Sequence, residues 1–183
     1  MPGTRWETYV EIVATVSPDK LLVRLVRILG GAGYKLVDVD EEARRVMFKA
    51  PLTRAEELAG LLEWFSSGSL EVKLGRRVKR VDLKRAARAL RSRGYSVETY
   101  GGRLLLFKAG QGFSFLGELK PGKLLGKYCK ETLSTRISPF EVPPSLCSYS
   151  LEVLQNPGFL EEAKLRLMSL YSDIVGILES LDT

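Results

Sequence analysis

Ten basic side chains crowd into the stretch KLGRRVKRVDLKRAARALRSR, from Lys73 to Arg93: Lys73, Arg76, Arg77, Lys79, Arg80, Lys84, Arg85, Arg88, Arg91 and Arg93. Asp82 is its one acid, so the stretch carries +9 in a chain whose net charge is +6, and the remainder sums to −3. Arginine outnumbers lysine seven to three here, and planar guanidinium forks match phosphate oxygens better than a point charge does. After Asp82 the spacing predicts a helix with Lys84, Arg85, Arg88 and Arg91 on one face, opposite Leu83, Ala87 and Leu90. Such a stripe suits nucleic-acid phosphates. The candidate contacts are Arg76, Arg77, Lys79, Arg80, Lys84, Arg85, Arg88 and Arg91. Two blander readings compete. One is a solvated helix face paired with acids such as Asp38, Asp40, Glu41 and Glu42, and the other is a site for an acidic protein. DNA and RNA are not distinguished.

Other chemistry is thinly represented. The chain has no histidine, which removes the commonest general base and metal ligand. Cys129 and Ser134 have no partner arrangement that would activate them. The expected class is therefore a non-catalytic binding module without cofactor or metal, with a carboxylate- or lysine-based enzyme as the remote alternative. Asp38 and Asp40 point the same way from a strand and could share a divalent ion, but acids at an exposed hairpin end are the simpler reading. Gly110 to Gly117 lacks the Lys-Ser/Thr pair of a phosphate loop and reads as a turn. Gly30-Gly31-Ala32-Gly33 ends a helix, the wrong electrostatic end for phosphate. Phe48 and Phe107 lie in phase with Val46, Ala50 and Leu105 on the face taken as helix-covered. They are read as core rather than as base-stacking rings, so any nucleic-acid contact is with backbone and shape. Cys129 and Cys147 are read by default as free thiols, with a disulfide as the thermophile alternative.

The elements that must position the basic stretch follow in order. Thr8 to Val16 alternates as a strand. Ser17-Pro18 predicts a helix start, with Leu21, Leu22, Leu25, Ile28 and Leu29 as its stripe and Gly30, Gly31 and Gly33 at its end. Tyr34 to Asp40 and Arg44 to Ala50 form a hairpin. Thr53-Arg54-Ala55-Glu56 reads as a capping box opening a second helix, and Leu70 to Leu74 as a strand. The succession β-α-β-β-α-β is the split βαβ of a ferredoxin-like fold, an antiparallel sheet with helices on one face. The fold class is thus α+β. Residues 1–76 form the ferredoxin-like unit, and 77–183 a related half that packs separately or as one domain with the first.

The second half repeats the first. Helix, Gly33-Tyr34, hairpin and Phe48-Lys49-Ala50 recur as helix, Gly94-Tyr95, hairpin and Phe107-Lys108-Ala109, which predicts an internal duplication. The copies differ at Leu104 and Leu106, which would be costly on an open sheet face, so something should cover them. Asn156-Pro157 predicts the start of a long C-terminal helix running to about Leu181. That helix is the expected cover or, alternatively, half of a homodimer or partner interface made of Leu104, Leu106, Leu167, Tyr171, Ile174 and Leu178. Lys120 to Leu133 reads as a short helix and Ser138 to Ser150 as loop.

Composition sets the setting. Hydrophobic residues at 45% and charged residues at 27% are ordinary for a globular chain of 183 residues. No apolar run approaches the ~20 residues of a membrane span, and the N-terminus lacks the order of a signal peptide. A cytoplasmic protein without membrane contact is expected. One asparagine, two glutamines and three methionines beside abundant Lys, Arg and Glu suggest a thermophile.

Overall fold

A computed structural model of the chain describes residues 7–110, 113–129, 148–150 and 158–181. Its architecture is α+β, built on antiparallel strand pairing. The chain forms two compact units, and it passes from one to the other at Glu7–Thr8, Leu74–Gly75 and Glu162–Ala163 among the described residues.

The first unit runs through β1 (Thr8–Thr15), α1 (Leu22–Gly31), β2 (Lys35–Asp40), β3 (Arg45–Pro51), α2 (Ala55–Phe65) and the first part of β4 (Ser69–Arg77). This is the succession read from the sequence, with the strands in the order β2-β3-β1-β4. Alternation places Ile12 opposite Phe48 and Val10 opposite Ala50. These side chains are buried, as are Leu25 and Leu29 of α1 and Leu58 and Leu62 of α2. Two helix starts differ from expectation. Helix α1 begins at Leu22, not at Pro18, and its N-cap Leu21 makes no side-chain cap. The cause is Arg44, held at φ +53. Its guanidinium donates to the carbonyls of Val16, Ser17 and Lys20 and fastens that segment as a turn. The capping box does not form either: Thr53 lies in a single 3-10 turn, Leu52–Arg54, and no side chain caps α2. Its first turn is held instead by the Arg54–Glu57 ion pair at 3.1 Å.

The second unit contains the end of β4, then α3 (Leu83–Ser92), β5 (Ser96–Tyr100), β6 (Arg103–Gly110), β7 (Phe113–Lys120) and β8 (Lys123–Cys129), with the strands ordered β8-β7-β6-β5. It also contains most of the 21-residue helix α4 (Phe159–Glu179). The predicted short helix after Lys120 is, over its described part, strand β8. Pro121-Gly122, with Gly122 at φ +81, is a two-residue turn that sets Lys120 opposite Lys123. Likewise Ser148–Ser150, expected as loop, is strand β9, which pairs with Ser69–Glu71 of β4 in the first unit. The remainder of that loop, Ser134 and the Asn156-Pro157 helix start lie outside the described residues.

Helix α4 supplies the cover that Leu104 and Leu106 require. Tyr171 meets the ring of Phe115 edge-on at 5.7 Å, and Asp173 accepts a 2.8 Å hydrogen bond from the Tyr95 hydroxyl. Burial, and then this bond to a carboxylate, raise the Tyr95 phenol above its ordinary pKa. By register Phe115 and Gly117 share the face of Leu104 and Leu106, so α4 lies one residue out of phase with Phe107. Leu104, Leu106, Leu167, Tyr171, Ile174 and Leu178 are each 0–1% exposed within a single chain. That corrects their assignment to a partner interface: one chain already closes this face.

The two helix-hairpin segments end their helices alike. Gly33 and Gly94 stand at φ +92 and +93. The amides of Tyr34 and Tyr95 each donate to the carbonyl five residues back, Leu29 and Leu90, at 3.1 Å. Both tyrosines are buried beneath a cation, Arg54 at 4.2 Å and Lys108 at 4.7 Å.

Cys129 is disulfide-bonded, which replaces the default reading of free thiols. The chain's other cysteine is Cys147, which lies outside the described residues. A thiol titration of the unfolded, unreduced protein should therefore find none, rising to two per chain after reduction. Two thiols without reductant would contradict the bond.

Candidate nucleic-acid interface

Helix α3 starts where Asp82, in extended conformation, accepts a hydrogen bond from the Lys84 amide at 3.2 Å. Ala86, Ala87 and Leu90 are buried and Leu83 is half-buried, which leaves Lys84, Arg85 and Arg88 exposed on the outer face. From Lys84 to Arg91 the helix rises about 10 Å, or about three nucleotide steps of a duplex. Among the described residues, Arg77, Arg80, Lys84, Arg85 and Arg88 take part in no ion pair. Two of the acids named from the sequence, Asp38 and Asp40, make local contacts. The Asp38 carboxylate accepts from the Val39 amide and that of Asp40 from the Ala43 amide, both local turn contacts. No metal-binding group of three or more acidic or cysteine side chains occurs among the described residues.

The eight predicted contacts do not stay together as a set. Arg76 and Arg77 belong to β4 rather than to a loop. Arg76 is only 25% exposed and pairs with Glu7 at 3.2 Å, with its Nε buried and unbonded. The Arg91 guanidinium donates to the Val97 carbonyl at 2.9 Å and ties the last turn of α3 to β5. Both are scaffold contacts. Lys79, Arg80, Lys84, Arg85 and Arg88 remain grouped about the head and outer face of α3.

Tertiary structure adds residues that the sequence did not single out. The Val78 amide donates to the Gly122 carbonyl at 3.1 Å, and the aliphatic stem of Arg80 lies over Gly122. This docks the β7–β8 turn, with Lys120 and Lys123, beside the Val78–Val81 loop. Lys120 and Arg103 share the carboxylate of Glu118, at 3.2 and 2.9 Å. Only strand register reveals this neighbourhood. A recess of about 160 Å³ is lined by Lys79, Arg80, Val81, Asp82, Arg85 and Leu181. At about 30 Å³ per water it has room for a phosphate group. Three cations line it against one carboxylate, whose oxygen is already held by the Lys84 amide.

No described helix is long and apolar enough to cross a membrane. No protein-family model matches the chain, and no curated protein matches it, so its function is read from this surface.

Proposed function

We propose that the chain is a non-catalytic, cytoplasmic module that holds nucleic-acid backbone against the outer face of α3 and the loop before it. The observation that carries this reading is the group Lys79, Arg80, Lys84, Arg85 and Arg88 about the head and outer face of α3, of which the last four take part in no ion pair among the described residues. Holding like charges together on one surface costs free energy that a polyanion would recover. A face built only for solubility would intersperse acids. In the same reading the first unit is a ferredoxin-like domain and the second helix-hairpin its duplicated copy, supported by the strand order and the matched helix ends. The thermophile reading continues to rest on composition.

Fluorescence anisotropy with random duplex DNA and single-stranded RNA, titrated with salt, tests it. Five phosphate contacts give a slope of log K against log salt of about −4.5 on duplex and about −3.5 on single strands. Sequence preference should be slight. Absent binding at low salt, or a slope near zero, would end the reading.

A further inference from the structure

Resting on that reading, we infer that the nucleic acid is single-stranded, with the ring of Tyr100 stacking on a base while the cations beside it hold the backbone. The register places the β5–β6 tip and the β7–β8 turn at one end of the second unit. Tyr100 pairs with Arg103, Leu104 with Leu119, and Lys120 with Lys123. The Val78–Gly122 bond brings the Val78–Val81 loop, and with it the head of α3, to the same end. That end therefore presents Lys79, Arg80, Lys120, Lys123 and Arg103 together with Tyr100.

Tyr100 stands out on this end. It is 59% exposed, whereas Tyr95, Phe107, Phe115, Tyr128 and Tyr171 in the same unit are buried. The Arg103 guanidinium lies 5.3 Å from the ring centroid and is itself anchored to Glu118 at 2.9 Å. The ring is thus steadied from one side by a positioned cation. The tip beyond it is Gly101-Gly102, both at positive φ, so no side chain there obstructs an approaching base. Three strand spacings of about 4.8 Å separate β8 from β5, which gives a track of about 14 Å from Lys123 to Tyr100. A basic track ending at an accessible aromatic face is how proteins hold single strands without reading sequence. Duplex DNA keeps its bases stacked inside and offers the ring nothing. The alternative role for Tyr100 is a cross-strand pair with Arg103 that steadies the hairpin alone.

The test compares oligo(U), oligo(dT) and a duplex of equal length by anisotropy, using the full chain. Tyr100→Ala should weaken both single strands roughly 5- to 150-fold and leave the duplex within about twofold, while Tyr100→Phe keeps full affinity. An oligo(dT) carrying 2-aminopurine should be quenched on binding by the wild type and by Tyr100→Phe. That second readout requires no destabilised variant. Equal affinity of Tyr100→Ala and wild type for single strands, or equal losses on single strands and duplex, would overturn the stacking inference while leaving the backbone site in place. Absence of binding to all three probes would remove both.

Discussion

Replacing Arg85 and Arg88 together by glutamate lowers nucleic-acid affinity on the order of 100-fold or more. Each substitution removes at least one charge-assisted hydrogen bond to phosphate, worth about 1.5 kcal/mol or more. Two give about 3 kcal/mol, roughly a factor of 150, before the repulsion of the new carboxylates is counted. The salt slope on duplex should fall by about 1.8, the share of two phosphates. Misfolding does not supply the loss. Both side chains are exposed, and the glutamate of Arg85→Glu would stand three residues after Asp82, the position from which a capping box closes. Acids early in a helix also favour the dipole, so the melting temperature should hold or rise slightly. Arg24→Glu with Arg27→Glu is the control. These arginines are exposed on α1 of the first unit, and either double variant takes the net charge from +6 to +2. If affinity falls equally in both, net charge alone explains the binding and the α3 face is not a site.

The sequence made α3 legible because every cue for it is local: Asp82 supplies the cap, Ala86, Ala87 and Leu90 the inner stripe, and the cations fall on what is left. Leu104 and Leu106 were informative for the opposite reason. Their demand for cover pointed to the long amphipathic segment at the end of the chain, as a cover within one chain or as half of an interface, and the structure places α4 there. What local pattern could not reveal was register. Arg76 and Arg91 look like their neighbours until Glu7 and the Val97 carbonyl are brought beside them. Lys120 to Cys129 carries no periodicity that decides between helix and strand, and only pairing with β7 makes it a strand. Arg44 begins α1 four residues late from a position more than twenty residues downstream. The Gly101-Gly102 pair after Tyr100 marks a turn in the sequence but does not tell that the ring stays accessible. Its accessibility comes from a two-glycine tip and a cation placed across the hairpin.

Gly126→Ala should cost about 3 kcal/mol, the upper end of ordinary overpacking, because the added methyl has nowhere to go. Gly117 and Gly126 lie opposite each other on β7 and β8, and the Phe115 ring lies across both. A Cβ at Gly126 would collide with that ring and with the Tyr171 hydroxyl, and one at Gly117 with the ring alone. Phe115 and Tyr171 are 0% exposed, so neither can yield toward solvent. The missing side chains are what let α4 come close enough to bury Tyr171 and seal the sheet face. Tyr171→Ala, which empties that seat, should cost about 3–5 kcal/mol. Thermal unfolding followed by far-ultraviolet circular dichroism should show the Gly126→Ala midpoint fall by about 10 °C, at 2–4 °C per kcal/mol for a chain of this size. The decisive comparison is Gly126→Ala in a Phe115→Ala background. Removing the ring gives the new methyl its space, so the second substitution should cost about 1–3 kcal/mol less there than in the wild type. Strict additivity would show that the glycines serve the strands alone, and that the ring does not occupy the slot they leave.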